Sequence, residues 1–317
     1  MALFERVHLP SFAGATEWLN SEPLGPAELR DRVVLVNFWT WTCINWLRQE
    51  PYVRAWSQAY RDDGLIVIGV HTPEFDFEHD LDGVRRATKD RAIDYPVVVD
   101  NDYAVWSAFA NHYWPALYFA DRDGIIREHH FGEGRYEKLE RVIQKLLGIE
   151  REPVFVEGVG VEAEADWDHL GTPETYLGSS RSGQLGSPPR AVLDRSRAYT
   201  HPEGLRLGDW ALAGEWTIRP EYVVLDQAGG SIAFRFHARD AHLVLSRGAP
   251  EPIPFRVSLD GEAPGPSAGV DVDEDGNGVL RDDRMYQLVR QHDVVRDRTL
   301  EITFRQPGAN AHSFTFG

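Results

Sequence analysis

The sequence predicts an α/β domain followed by an all-β sandwich, and three observations carry that reading. Between residues 33 and 147, β-rich apolar runs alternate with helical patterns, the order that builds a parallel sheet flanked by helices. Residues 151–190 change texture, first acidic and then rich in Gly, Ser and Pro. From about residue 205 onward the chain breaks into short alternating runs separated by turn residues, which is the pattern of a sandwich. A length of 317 residues exceeds what one core usually holds. The expected division is therefore 1–150, a linker with loops over 151–190, and a sandwich over 191–317.

Residues 33–40 (VVLVNFWT) form a continuous apolar run suited to a buried strand. Residues 44–60 read as a helix, with Pro51 removing one of its hydrogen bonds. Residues 65–71 (LIVIGVH) make a second buried strand, and 77–91 a charged amphipathic helix. A short strand over 97–100 and a helix over 103–110 follow. Residues 116–120 and 125–130 flank a turn that ends on Gly124, which predicts a hairpin. In 136–147, Leu139, Val142, Ile143, Leu146 and Leu147 keep helical spacing, and Gly148 suits the C-cap. Further on, runs such as EYVVLD, SIAFRFHA, HLVLSR and LEITFR supply strands.

Lys and Arg total 33 against 50 Asp and Glu, a formal charge of −17. A field of that sign repels phosphate backbones, so no nucleic-acid partner is expected. No basic segment precedes an apolar core at the start, and no apolar run reaches bilayer length. A protein without a membrane span, in the cytoplasm, is the expectation.

Cys43 is the sole cysteine. It follows a buried strand and opens a helix. The thiolate is the reactive form of cysteine, and a helix N-terminus stabilises it through unpaired N–H groups and the helix dipole. Thiols so placed have pKa values of roughly 3.5–7.5, against about 8.5 for a free one. The alternative is a small buried hydrophobe, as most unpaired cysteines are.

The segment FWTWTCINW, continued by EPYV, resembles the active-site stretch of the DipZ branch of TlpA-like thioredoxin-fold proteins. GVHTPEFDFE at 69–78, NHYWPALYFADRDG at 111–124 and HFGEGRY at 130–136 carry the same likeness. So do TPETYLG at 172–178, YQLVR at 286–290 and the terminal FTFG. The resemblance implies a thioredoxin-like domain joined to a jelly-roll-like sandwich of carbohydrate-binding type. It puts Cys43 in the place of the attacking cysteine and Trp114-Pro115 in the place of the peptide before the fold's cis-proline. Thr40, Trp41, Thr42, Asn45, Trp46 and His71 would line the site.

Trp46 stands where that family keeps its resolving cysteine. A dithiol enzyme releases its mixed disulfide with the second thiol, so Cys43 would need an external thiol. Three readings follow. One is a monothiol oxidoreductase taking a thiol or disulfide substrate. Another is a peroxidase passing through a sulfenic acid. Thr40, three residues before Cys43, matches peroxiredoxins, but Val36 lies where they carry an upstream proline. The last is a scaffold with a degenerate site. Trp39, Trp41, Trp46 and Trp114 are expected to cluster near Cys43. His71 or His112 would support a thiolate if charged; a satisfied or surface histidine is the alternative for each.

No cofactor is required by this chemistry. In the second domain, Asp271, Asp273, Asp275 and Asn277 alternate around Gly276, with Asp282 at the twelfth position. That spacing matches a Ca²⁺ loop, or equally a polar hairpin turn. Trp210, Trp216 and Tyr222 offer stacking surfaces for a glycan, unless they are core; a protein ligand is the other option for the sandwich.

Overall fold

The computed structural model describes residues 7–181, 185–188 and 191–317. The chain forms two compact units, Met1–Ala163 and Glu164–Gly317. In the first, a six-stranded sheet has the order β1-β4-β3-β2-β5-β6. Its central strands are β2 (Val33–Trp39), β3 (Leu65–His71) and β4 (Val97–Val99), paired parallel. The antiparallel members are β5 (Ala116–Ala120), β6 (Ile126–Phe131) and β1 (Glu17–Leu19). All seven residues of β2 are buried. Successive side chains point to opposite faces, so both faces of the sheet are covered.

The helices are α1 (Ile44–Tyr60), α2 (Leu81–Asp90), α3 (Ala104–Ala108) and α4 (Tyr136–Leu147). Helix α1 runs through Pro51, and Gly148 ends α4 at φ +75°. The helix expected over 77–91 is split. Residues Asp76–His79 form a 3₁₀ turn, and α2 starts afresh because the Asp80 side chain accepts from the Asp82 and Gly83 N–H groups. Strand β1 is too short to show a period in sequence. It is held by pairing with β4 and by Asn20, whose Nδ2 donates to the Ile93 and Tyr95 carbonyls.

Residues 151–163, expected as linker, belong to the first unit. Arg151 pairs with Asp63 at 2.7 Å, Val154 N–H donates to Glu140, and Glu162 pairs with Arg91 at 2.6 Å. Residues 182–184 and 189–190 of the expected linker lie outside the described residues.

The second unit is an antiparallel β-sandwich of eleven strands. Its strands are β7 (Thr175–Tyr176), β8 (Arg197–Tyr199), β9 (Trp210–Ile218), β10 (Val223–Leu225), β11 (Ser231–Phe236), β12 (Asp240–Arg247), β13 (Ile253–Leu259), β14 (Asn277–Leu280), β15 (Arg284–Arg290), β16 (Arg298–Phe304) and β17 (Ala309–Phe316). Strand β9 serves both layers. Its first half pairs with β11 and its second half with β10. The corner falls at Gly214, at φ +95°, where an added Cβ would lie 2.7 Å from the Gly230 Cα. Only glycine tolerates both the backbone angle and that approach. Trp210, Trp216, Phe234, Phe304 and Phe314 fill the core between the layers.

One buried group in α1 is poorly satisfied. Glu50 is fully buried, and Arg54 Nε lies 3.2 Å from one oxygen, in ion-pair reach but without hydrogen-bond alignment. Burial pushes its pKa up to about 7, against partial relief from Arg54. Between roughly pH 4.5 and 7 the folded state keeps a proton that the unfolded chain has released, so this carboxyl removes stability as pH rises across that window and no further above it. Glu50→Gln is therefore expected to gain on wild type by on the order of 3 kcal/mol between pH 4.5 and pH 8. Urea unfolding at the two pH values measures this; an unchanged gap would contradict it.

Candidate functional site

The site forms at the end of the sheet where the parallel strands finish. Trp39 pairs with His71, and His71 with Val99, so β2, β3 and β4 end level. Phe38 pairs with Ala116 across the antiparallel neighbour, which brings Trp114 and Pro115 to the same end. The Trp114-Pro115 peptide is cis.

Cys43 is the N-cap residue of α1, with extended backbone at φ −75° and ψ 113°. It is partly buried. Its carbonyl accepts from Leu47 N–H at 3.0 Å, and the first turn of α1 holds no acidic residue to oppose a thiolate. The N–H groups of this 17-residue helix therefore open beside the thiol. Asn45 is partly buried on the same turn.

Trp46 is fully buried and stacks on Trp39, with centroids 4.4 Å apart. Its indole N–H donates to Asn37 Oδ1 at 3.2 Å. Asn37 Nδ2 donates to Gln49 Oε1 at 2.9 Å, and Gln49 Nε2 to the Gly132 carbonyl at 3.0 Å. The side chain in the resolving position is thus tied by stacking and by a chain of buried hydrogen bonds.

His71 lies edge-on to Trp39 at 4.9 Å and stacks with Trp41 at 5.0 Å. Trp46, Trp39, His71 and Trp41 make one aromatic series. Trp41 packs over Gly83, where a Cβ would fall 2.9 Å from the indole. Trp114 stands apart from the series. It packs on Trp106 at 4.3 Å and donates to the Thr72 carbonyl. The expected four-tryptophan cluster is therefore two groups, because Trp114 reaches across the strand ends to β3's exit rather than toward Trp46.

The expectation that His71 supports a thiolate as a cation is corrected. The ring is fully buried and burial lowers its pKa to about 3, so it is neutral at physiological pH. His112 is exposed, with its ring 6.4 Å from that of Tyr113.

Thr40 and Thr42 are both buried. Thr42, next to Cys43, donates its N–H and its hydroxyl to Glu78 at 3.3 and 2.7 Å. Glu78 is fully buried. The sequence reading missed it. Its signal was a glutamate inside the GVHTPEFDFE segment, following Phe77.

Over 241 residues, 74% of this chain, the sequence is 36% identical to the DipZ proteins of Mycobacterium bovis and Mycobacterium tuberculosis. Residues 172–317 match the family model described as Thioredoxin like C-terminal domain. The chain is similar to DipZ proteins over most of its length, and its first unit has a thioredoxin-like fold. It spans about a third of the DipZ length, 34%. Thiol-disulfide oxidoreductase YkuV of Bacillus subtilis is 29% identical over 45% of this chain and 95% of its own. A solved structure titled as a thioredoxin-like protein in the oxidized form is 29% identical, covers 47% of this chain and all of its own, and gives a TM-score of 0.43.

In the second unit, several residues read as a Ca²⁺ loop are engaged within the chain. Among the described residues no group of three or more His, Cys, Asp or Glu is placed to hold a metal. Asp271 is taken by Arg284 at 2.6 Å and by Gln287 N–H. Asp273 closes the turn by accepting from Asn277. Asp275 is exposed. Asn277 opens the extended strand β14, and Asp282 lies in the bend beyond that strand's end. Trp210 and Trp216 are core residues and offer no glycan platform. Tyr222 packs against His312 at 5.1 Å. No helix among the described residues is long and apolar enough to cross a membrane.

Two outcomes follow from the packing. Trp46→Ala is expected to lower unfolding free energy by about 3–5 kcal/mol, measured by urea denaturation; a loss under 1 kcal/mol would contradict the buried stack. The His71 ring resonances are expected to stay fixed from pH 8 to pH 5 in NMR, and a midpoint near 6.5 would contradict its neutral burial.

Proposed function

We propose that this protein is a monothiol thiol-disulfide oxidoreductase acting through Cys43. The observation that carries the reading is the thiol at the N-cap of α1, with Trp46 buried one turn later. The helix N-terminus favours a thiolate, which attacks one sulfur of a substrate disulfide. One S–S bond breaks, the new bond joins Cys43 to substrate, and the other half leaves as a thiolate. Trp46 has no thiol to resolve that adduct. A second, external thiol attacks the mixed disulfide, takes the substrate half and frees Cys43. A low-molecular-weight thiol fits this role, supplied by a reducing compartment such as the cytoplasm. The name of YkuV supports the same class of chemistry.

The test uses the full chain with oxidised glutathione. Mass spectrometry should find one glutathione per chain on Cys43, removed by reduced glutathione, and Cys43→Ser should abolish the adduct. Faster consumption of the thiol by hydrogen peroxide than by oxidised glutathione would favour the peroxidase reading. No adduct before denaturation would leave a scaffold.

A further inference from the structure

Glu78 sits on the 3₁₀ turn Asp76–His79 and is fully buried, yet it touches the residue beside the thiol. Its two oxygens accept four well-aligned hydrogen bonds, and the Thr40 hydroxyl also stabilises the charged carboxyl. Oε1 accepts the Thr42 N–H at 3.3 Å and the Thr42 hydroxyl at 2.7 Å. Oε2 accepts the Glu74 N–H at 2.7 Å and the Phe75 N–H at 3.0 Å. One carboxylate thereby ties the loop leaving β3 to the turn entering α1.

We propose that Glu78 is a positioning residue for Cys43: its ionised carboxylate grips both donors of Thr42, sets the turn that presents the thiol, and loosens that grip on protonation. This rests on the reading of Cys43 as the reactive thiol. The chemistry of the four donors decides where the grip fails. Three are backbone N–H groups, which cannot reverse. Of the four aligned donors, the Thr42 hydroxyl alone can turn its hydrogen away and accept, as the Thr40 hydroxyl beside the carboxyl also can. An acid proton is therefore accommodated on Oε1, facing Thr42, while Oε2 keeps its two N–H partners. The longest contact, from the Thr42 N–H, then competes with an O–H group and weakens.

The surroundings allow this within the working range. Burial raises the Glu78 carboxyl to about 7 and the Glu74 charge on its own loop adds to this, while the Thr40 hydroxyl, the Thr42 hydroxyl and the Glu74 N–H oppose them. His71, at the end of β3, is neutral and supplies no countercharge. From the α1 entry, the titratable residue next to Thr42 in sequence is Cys43.

The experiment compares wild type with Glu78→Gln, Thr42→Val and Thr42→Ser in the full chain. It reads the Thr42 amide shift by NMR and the rate of Cys43 alkylation by iodoacetamide, both against pH. In wild type the Thr42 amide should titrate near pH 7, and the alkylation profile should carry an inflection there besides that of the thiol. Glu78→Gln should remove both. Thr42→Val should change the alkylation rate about three- to tenfold, and Thr42→Ser should restore it. A Thr42 amide that does not titrate, or variant alkylation profiles overlaid on wild type, would overturn the proposal. Should Glu78→Gln fail to fold, the Thr42 pair and the wild-type titration decide. Overlaid profiles with glutathione exchange intact would sink this inference alone; shifted profiles without exchange would sink the proposed function alone.

Discussion

The burial of Trp46 is the constraint on which the site's chemistry turns. A thiol at this position would answer Cys43 across one helical turn. An indole instead fills the space, stacks on Trp39 and donates into the Asn37–Gln49 chain. That chain ends on the Gly132 carbonyl, just past β6, so the first turn of α1 is bound to the far hairpin. Leaving the indole N–H unpaired at this depth would cost on the order of 1–3 kcal/mol, and Asn37 removes that cost. The replacement is thus built into the fold rather than being a gap where a cysteine was lost.

Around the same helix entry, three ionisable groups are held in dry surroundings by different means. Glu78 is met by four donors, Glu50 by a poorly aligned Arg54, and His71 by aromatic faces. Each is displaced toward its neutral form by burial. Carboxyls with unsatisfied or proton-sensitive partners are costly in a core. The presence of Glu78 against Thr42, the residue before the thiol, fits the rule that local consistency is relaxed where function is housed.

The second unit meets a different problem, that of joining two sheets without exposed edges at the corner. Strand β9 solves it by changing partner at Gly214, where the backbone angle and the close approach of Gly230 exclude a side chain. Its aromatic residues are spent on the core. Its acidic loop is spent on turn closure and on Arg284.

Much of this was legible in one dimension. Strong periodicity and strand-length apolar runs reveal β2, β3, α1, α4 and the sandwich strands, because burial on a regular element leaves a local pattern. The place of Cys43 between a buried strand and a helix is likewise local. Partnership is not. Nothing in the spacing of Asp271, Asp273, Asp275, Asn277 and Asp282 reveals that Arg284 claims the first and that Asn277 closes the turn on Asp273. Nor does it reveal that Trp114 turns toward Trp106, that His71 is walled off from charge, or that Glu78 reaches Thr42 from 36 residues away. The sequence by itself determined which segments form and where the thiol stands, since those depend on near neighbours along the chain. Only the tertiary structure decided which polar groups meet and which are dry, since hydrogen bonding and desolvation depend on neighbours in space.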